Sequence, residues 1–145
     1  MAKKFKKPVH EDRKASGVGS NKEDIQSYDS LVKFSFKYLD VNHEKFQISD
    51  RQVTYFLKFI ERMKGISSHT VQRLCSSYDK RDTLRFHDID WDRSTEKSFG
   101  IPKEDEIVDK PWQFAISVNE HGRIHGFFIG NVFNVVWFDP NHQLC

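Results

Sequence analysis

Three side chains near the end of the chain have the chemistry to handle a phosphate group. Arg123 and His125 are two residues apart in an apolar, strand-like run, and His142 follows the last such run. Alternate residues of a strand share one face at about 7 Å, a distance that a phosphate can bridge. A guanidinium forms forked hydrogen bonds to phosphate, and imidazole titrates near neutral pH. These residues therefore predict phosphate binding with acid/base chemistry.

A β-meander is needed to position these side chains. Three runs rich in Phe, Ile, Val and Trp have strand composition: Trp112–Val118, Arg123–Ile129 and Val132–Phe138. Gly130 and Asn131 separate the last two runs, a connection that demands positive φ and predicts a tight hairpin.

The loop before Arg123 sets which residues share a face. A three-residue loop over 120–122, with Gly122 left-handed, would place Val118 opposite Ile124. One face is then predicted to be core: Trp112, Phe114, Ile116, Val118, Ile124, Gly126, Phe128, Phe133, Val135 and Trp137. The other face would carry Gln113, Ala115, Ser117, Arg123, His125, Asn134, Phe127, Val136 and Phe138. A two-residue loop would instead bury charge without a partner.

An alternating run and two helical runs precede the meander. Leu31–Leu39 alternates apolar and polar residues and predicts a half-buried strand. After a capping start at Ser49 and Asp50, apolar residues recur at helical spacing until Gly65: Val53, Phe56, Leu57, Ile60 and Met63. A second helix is predicted from Ser67 or Ser68, carrying Val71, Leu74, Cys75 and Tyr78. Residues 79–110 have a poor pattern, with one short predicted strand at Leu84–Ile89.

Composition predicts one soluble domain with a basic tail. The chain has 145 residues, net charge +2, thirteen Phe and three Trp, enough for a core. Residues 1–30 are predicted to form a disordered tail, since they are rich in Lys and Arg and poor in apolar groups. No run is long enough to span a membrane, and no signal peptide is evident. Cys75 and Cys145 lack metal or redox spacing, which fits the cytoplasm.

Taken in order, the elements predict an α+β fold of the form β-α-α-β-β-β, with two consecutive helices on one face of an antiparallel sheet. Over residues 31–145, the chain resembles the RelE/ParE-like toxin superfamily. The resemblance rests on this topology and on the closing pattern NEHGRIHGFFIGNVFNVVWF at Asn119–Phe138, a loop, a basic strand start, a tight turn and an apolar last strand.

This resemblance implies a toxin of a toxin–antitoxin pair that cleaves mRNA on the ribosome and needs no metal or cofactor. Its partners would be mRNA, the ribosome and a cognate antitoxin. The reaction uses the ribose 2′-OH as nucleophile, so it requires proton exchange and cations for the phosphate charge. Arg123 matches the family's phosphate clamp and His142 its terminal histidine, with His125 on the same face. Gln113 and Ser117 depart from the family, which usually has Arg or Lys on that strand.

Simpler structural roles remain open for the same residues. Arg123 could pair with Glu120, and His125 could bond to Asn134 or a backbone carbonyl. His142 could belong to a turn formed with Asp139 and Asn141, and His121 could be merely solvated.

Two other functions compete with RNA cleavage. A non-catalytic interaction protein would use the segment Arg81–Lys110, and an RNA-binding module would use basic residues and the tail. The basic candidates are Lys58, Arg62, Lys64 and Arg85. An acidic run around His87, with Asp88, Asp90 and Asp92, predicts no metal site, because alternation separates the histidine from the carboxylates.

Overall fold

A mixed five-stranded sheet forms the centre of the computed structural model, which describes residues 30–76, 85–118 and 120–145. The strand order is β1-β5-β4-β3-β2. The strands are β1 (Lys33–Ser35), β2 (His87–Asp88), β3 (Pro111–Ala115), β4 (Arg123–Ile129) and β5 (Val132–Asp139). The helices are α1 (Val53–Ile66), α2 (Val71–Cys75) and α3 (Glu104–Ile107), with a 3₁₀ turn at Trp91–Arg93. The predicted α+β class is confirmed. The predicted tail, apart from Ser30, and the predicted positions of Tyr78 and Leu84 lie outside the described residues.

The meander follows the predicted strands, but its first hairpin has another register. Ile129 pairs with Val132 around a tight turn in which Gly130 has φ +59°, as predicted. Ile124 lies opposite Phe114 rather than Val118, so the predicted three-residue loop is wrong. Residues 116–122 form the connection, and Gly122 has the predicted left-handed φ of +69°. The shift is four residues, an even number, so it leaves the assignment of faces on β3 unchanged.

A β-bulge in β5 exchanges two aromatic side chains between the faces. Gly126 pairs with Val135 and His125 with Trp137, which leaves Val136 as the extra residue. Because one extra residue inverts the alternation, Phe138 joins the helix-covered face and Trp137 the opposite one. Both were predicted the other way round.

The two edge strands are short. β1 runs parallel to β5, so the prediction of a wholly antiparallel sheet is wrong. It covers less than the predicted Leu31–Leu39, because the chain turns after it, with Leu39 N donating to the carbonyl of Phe36 (3.1 Å). β2 pairs antiparallel with β3 and supplies the fifth strand.

The helices α1 and α2 cover one face of the sheet. Tyr55, Phe59 and Ile66 are the buried residues of α1, whereas Val53 and Leu57 are 73% and 53% exposed. The predicted buried stripe is therefore wrong for Val53, Leu57 and Ile60. Burial of Tyr55 and Phe59 removes more apolar area from water than burial of the smaller aliphatic side chains would. This difference favours the rotation of α1 that turns the two aromatic rings inward. The predicted caps are also wrong: Gln52 precedes α1, and Thr70 caps α2 by accepting from Arg73 N.

An irregular segment covers the other face. Most of the described part of the predicted partner-binding segment, residues 85–110, packs on this face, for example through Ile89 and Phe99, whereas Phe86 packs on the helix-covered face. The poor periodicity of the segment reflects a cover built without long helices or strands. The second aromatic core comprises Phe46, Ile89, Phe99, Phe127, Val136, Trp137 and Leu144. Among the described helices, none is long and apolar enough to cross a membrane.

Candidate phosphate-binding site

A pocket of about 350 Å³ opens where β3 ends, β4 begins and β5 ends. Its lining is mostly polar and includes four groups that can carry positive charge. The polar lining includes Arg85, Ser117, Glu120, His121, Arg123 and His142.

Arg123 is the first residue of β4 and is only 9% exposed. Its Nε donates to Nε2 of His142 at 2.9 Å, whereas its buried Nη1 has no hydrogen-bond partner within the described part of the chain. Burial lowers the pKa of Arg123, and the nearby charge of Arg85 lowers it further. An arginine nevertheless stays protonated in proteins, so the pocket wall holds a buried, incompletely bonded cation.

His142 lies in a turn that a carboxylate organises. The carboxylate of Asp139 accepts from the backbone N–H groups of Gln143 (2.7 Å) and Leu144 (3.0 Å), and His142 N lies 3.3 Å from the carbonyl oxygen of Asp139. Within this turn His142 has φ +56°. The turn predicted as an alternative role for His142 is therefore present, and the same residue also contacts Arg123.

His125 lies beneath the pocket rather than in its lining. It is fully buried, and its Nε2 is 3.1 Å from Oδ2 of Asp139 instead of from Asn134. Burial lowers the pKa of His125, and its hydrogen bond to Asp139 offsets this lowering only in part. Burial raises the pKa of Asp139, but the bonds from His125 and two backbone N–H groups outweigh it, so this pKa falls below its usual value. The pair is thus a neutral imidazole that donates to a carboxylate.

His121 is a pocket residue that sequence reasoning placed in solvent. Its Nδ1 lies 2.8 Å from Oγ of Ser117, and its ring packs 6.1 Å from that of Tyr55. Its φ of +61° is a left-handed conformation that non-glycine residues adopt at a cost of about 1–3 kcal/mol. The one usable sequence signal was its place beside Gly122, at the start of the strand that carries Arg123.

The basic residues predicted to bind RNA fall into two groups. Arg85 lines the pocket beside Arg123. The other three lie on α1, where Lys58 pairs with Glu61 at 3.3 Å and Arg62 Nε donates to the carbonyl of Ile116 at 2.9 Å. Lys64 is exposed near the end of α1. The structure therefore brings together Arg85, Arg123 and His142, and keeps the α1 group apart from the pocket lining.

The acidic run near β2 is used in local ion pairs. Asp88 lies 3.5 Å from Lys110, and Asp90 lies 3.6 Å from Arg93 and caps the 3₁₀ turn. Across residues 30–76, 85–118 and 120–145, no group of three or more His, Cys, Asp or Glu side chains could hold a metal ion.

Comparison of this chain with protein-family models, curated proteins and solved structures found no match. The resemblance to the RelE/ParE-like superfamily therefore stays a prediction from the sequence.

Proposed function

We propose that the chain is the toxin of a toxin–antitoxin pair and cleaves mRNA on the ribosome, with the scissile phosphate bound between Arg85 and Arg123. The observation that carries the proposal is the buried guanidinium of Arg123, whose Nη1 has no partner within the described residues. A buried donor without a partner costs free energy until a ligand satisfies it.

The electrostatics of the pocket favour an anion. The second guanidinium, that of Arg85, lies close enough to lower the pKa of Arg123, so the two cations repel each other in the free protein. An anion between them would remove this repulsion, and a phosphate also matches the forked geometry of arginine. The volume of about 350 Å³ falls within the usual range for small-ligand sites, about 300–1,000 Å³.

Cleavage, rather than binding alone, is proposed because an imidazole lies in the same pocket as the two arginines. His121 lines the pocket with Arg85 and Arg123, and a neutral imidazole can accept a proton from a substrate. The resemblance supplies the rest of the proposal: a 2′-OH nucleophile, a ribosomal substrate complex, a cognate antitoxin and a cytoplasmic location. Arg85 would contact the phosphate directly, while Lys58 and Lys64 would approach the RNA backbone elsewhere.

The test is cleavage of mRNA in a purified translation reaction, with the cut sites mapped by primer extension. Arg123→Ala should lower the cleavage rate by about 10²-fold or more, as loss of one preorganised cation commonly does. Arg123→Lys keeps the charge but loses the fork, and it should recover only part of the rate.

Arg93→Ala is the matched control, because Arg93 is an exposed arginine whose side chain is 87% accessible and which is absent from the pocket lining. It should cleave like the wild type. RNA binding that weakens steeply with salt, without any cleavage, would contradict the proposal and favour the RNA-binding module. Absence of both activities would favour the non-catalytic interaction protein.

A further inference from the structure

Both ring nitrogens of His142 are already in use. Nδ1 lies 2.7 Å from the carbonyl oxygen of Cys145, which can only accept, so Nδ1 carries the hydrogen. Nε2 then holds the lone pair and accepts from Nε of Arg123 at 2.9 Å. In this arrangement His142 has no free nitrogen for a substrate proton, and it fixes the orientation of the guanidinium.

His121 has the opposite arrangement. Oγ of Ser117 lies 2.9 Å from the carbonyl oxygen of Glu120 and 2.8 Å from Nδ1 of His121. The hydroxyl has one hydrogen, which the carbonyl takes, so Nδ1 donates to Oγ and Nε2 keeps its lone pair. Within the described ranges, no hydrogen bond occupies Nε2.

The backbone holds His121 at the rim of the pocket. His121 and Gly122 are both left-handed, with φ of +61° and +69°. A Cβ on Gly122 would overlap the backbone of Asp139 and Pro140, so the loop lies directly against the turn that carries His142. Strained backbone of this kind persists where the surrounding structure enforces it, and it is concentrated at functional sites.

We propose that His121 is the catalytic base of the RNA cleavage, and that Ser117 and His142 are positioning residues for His121 and Arg123. This inference rests on the proposed function. Nε2 of His121 accepts the 2′-OH proton as the 2′-oxygen bonds to phosphorus and the bond from phosphorus to the 5′-oxygen breaks. The 5′-oxygen takes a proton from a solvent water, and the resulting hydroxide takes the proton from His121. Arg85 and Arg123 stabilise the charge that develops on the phosphate.

The activity test is a pH series of single-turnover mRNA cleavage on ribosomes, using the full-length chain. His121→Ala should lower the rate by about 10²–10⁴-fold, the range typical of general acid–base catalysis, and should abolish the rising limb of the pH–rate curve. His142→Gln supplies a side-chain oxygen that can still accept from Arg123, so it should keep that limb and stay within about tenfold of the wild-type rate. His69→Ala, in the turn between α1 and α2, is the matched control.

The assignment of roles also has a readout that needs no cleavage. Long-range ¹H–¹⁵N correlation spectra of the labelled protein should show both His142 and His121 with the hydrogen on Nδ1. Adding inorganic phosphate should shift the Nε2 signal of His121.

The outcomes separate the two proposals. A wild type that leaves mRNA intact overturns the proposed function and this inference with it. A wild type that cleaves, beside a His121→Ala variant that keeps the rising limb, overturns only the role of His121. Loss of that limb in His142→Gln, or a hydrogen on Nε2 of His142, would overturn the positioning role of His142.

Discussion

The two faces of the sheet differ in what the same strands bury. The face under α1 and α2 is a cluster of apolar side chains such as Phe59, Phe114 and Phe133. The opposite face combines a second aromatic cluster with buried polar groups from the meander: Gln113, Arg123, His125, Asn134 and Asp139. These five buried polar residues of the meander lie on the same face, and the pocket lies at its end. Among the described residues, the helix-covered face buries one polar side-chain atom without a partner, Oη of Tyr55, whereas the opposite face buries three, in Arg123, His125 and Trp137. The second face therefore tolerates more unsatisfied polar groups, as a binding site does.

The largest expected effect comes from the helix-covered face. Phe59→Ala removes a ring that is 5% exposed and packs edge-on against Phe138 at 4.8 Å. We expect the free energy of unfolding to fall by about 3–5 kcal/mol, because transfer and cavity terms add. Urea unfolding measures this loss. A loss below about 1 kcal/mol would show that this face is not the main source of stability.

An intermediate effect should come from the buried pair on the opposite face. The pKa of His125 is lowered in the folded protein, so between that value and about 6.5, the ordinary imidazole value, the unfolded chain binds one more proton. Stability should therefore fall on acidification below about pH 6.5, by up to about 1.4 kcal/mol per pH unit. The pKa of Asp139 is also lowered, but from the ordinary carboxyl value of 3.8, so its contribution to stability is lost only at more acid pH.

His125→Gln tests this assignment, since a glutamine amide can still donate to Asp139 but does not titrate. Between pH 7.5 and 5, the melting temperature of the variant should depend less on pH than that of the wild type, because one titrating group has been removed. An unchanged slope would show that another group causes the acid loss.

The smallest effect is expected on the outer side of α1. Leu57→Gln changes a side chain that is 53% exposed, so the free energy of unfolding should stay within about 0.5 kcal/mol of the wild type. The same urea experiment used for Phe59→Ala measures it. A loss of 2 kcal/mol or more would contradict this expectation and would show that Leu57 is buried, as the sequence predicted.

The fold class and most helices and strands were predictable from the sequence, because short-range patterns are sufficient to define them. Alternation and a Gly130-Asn131 turn define the last two strands, and helical spacing defines α1 within a few residues. The sequence did not predict the bulge, because Val136 has no conformational signature, or the rotation of α1, because apolar residues lie on both candidate faces. Arg123 and His142 were predicted to serve one phosphate site, and the structure brings them into contact. The place of His121, by contrast, depends on a loop register that local sequence does not determine.

The parallel pairing of β1 has a kinetic consequence. Nδ2 of Asn131 donates to the carbonyl of Leu31, a contact between residues 100 positions apart, whereas the hairpins of the meander close locally. Contacts between residues so far apart in sequence form late in folding, because the chain loses the entropy of closing a long loop before the contact contributes any stabilisation. Until β1 docks, Phe34 cannot pack against Phe114 and Phe133, and the edge of β5 stays open. During refolding at high concentration, the protein should therefore aggregate in the interval between formation of the meander and docking of β1.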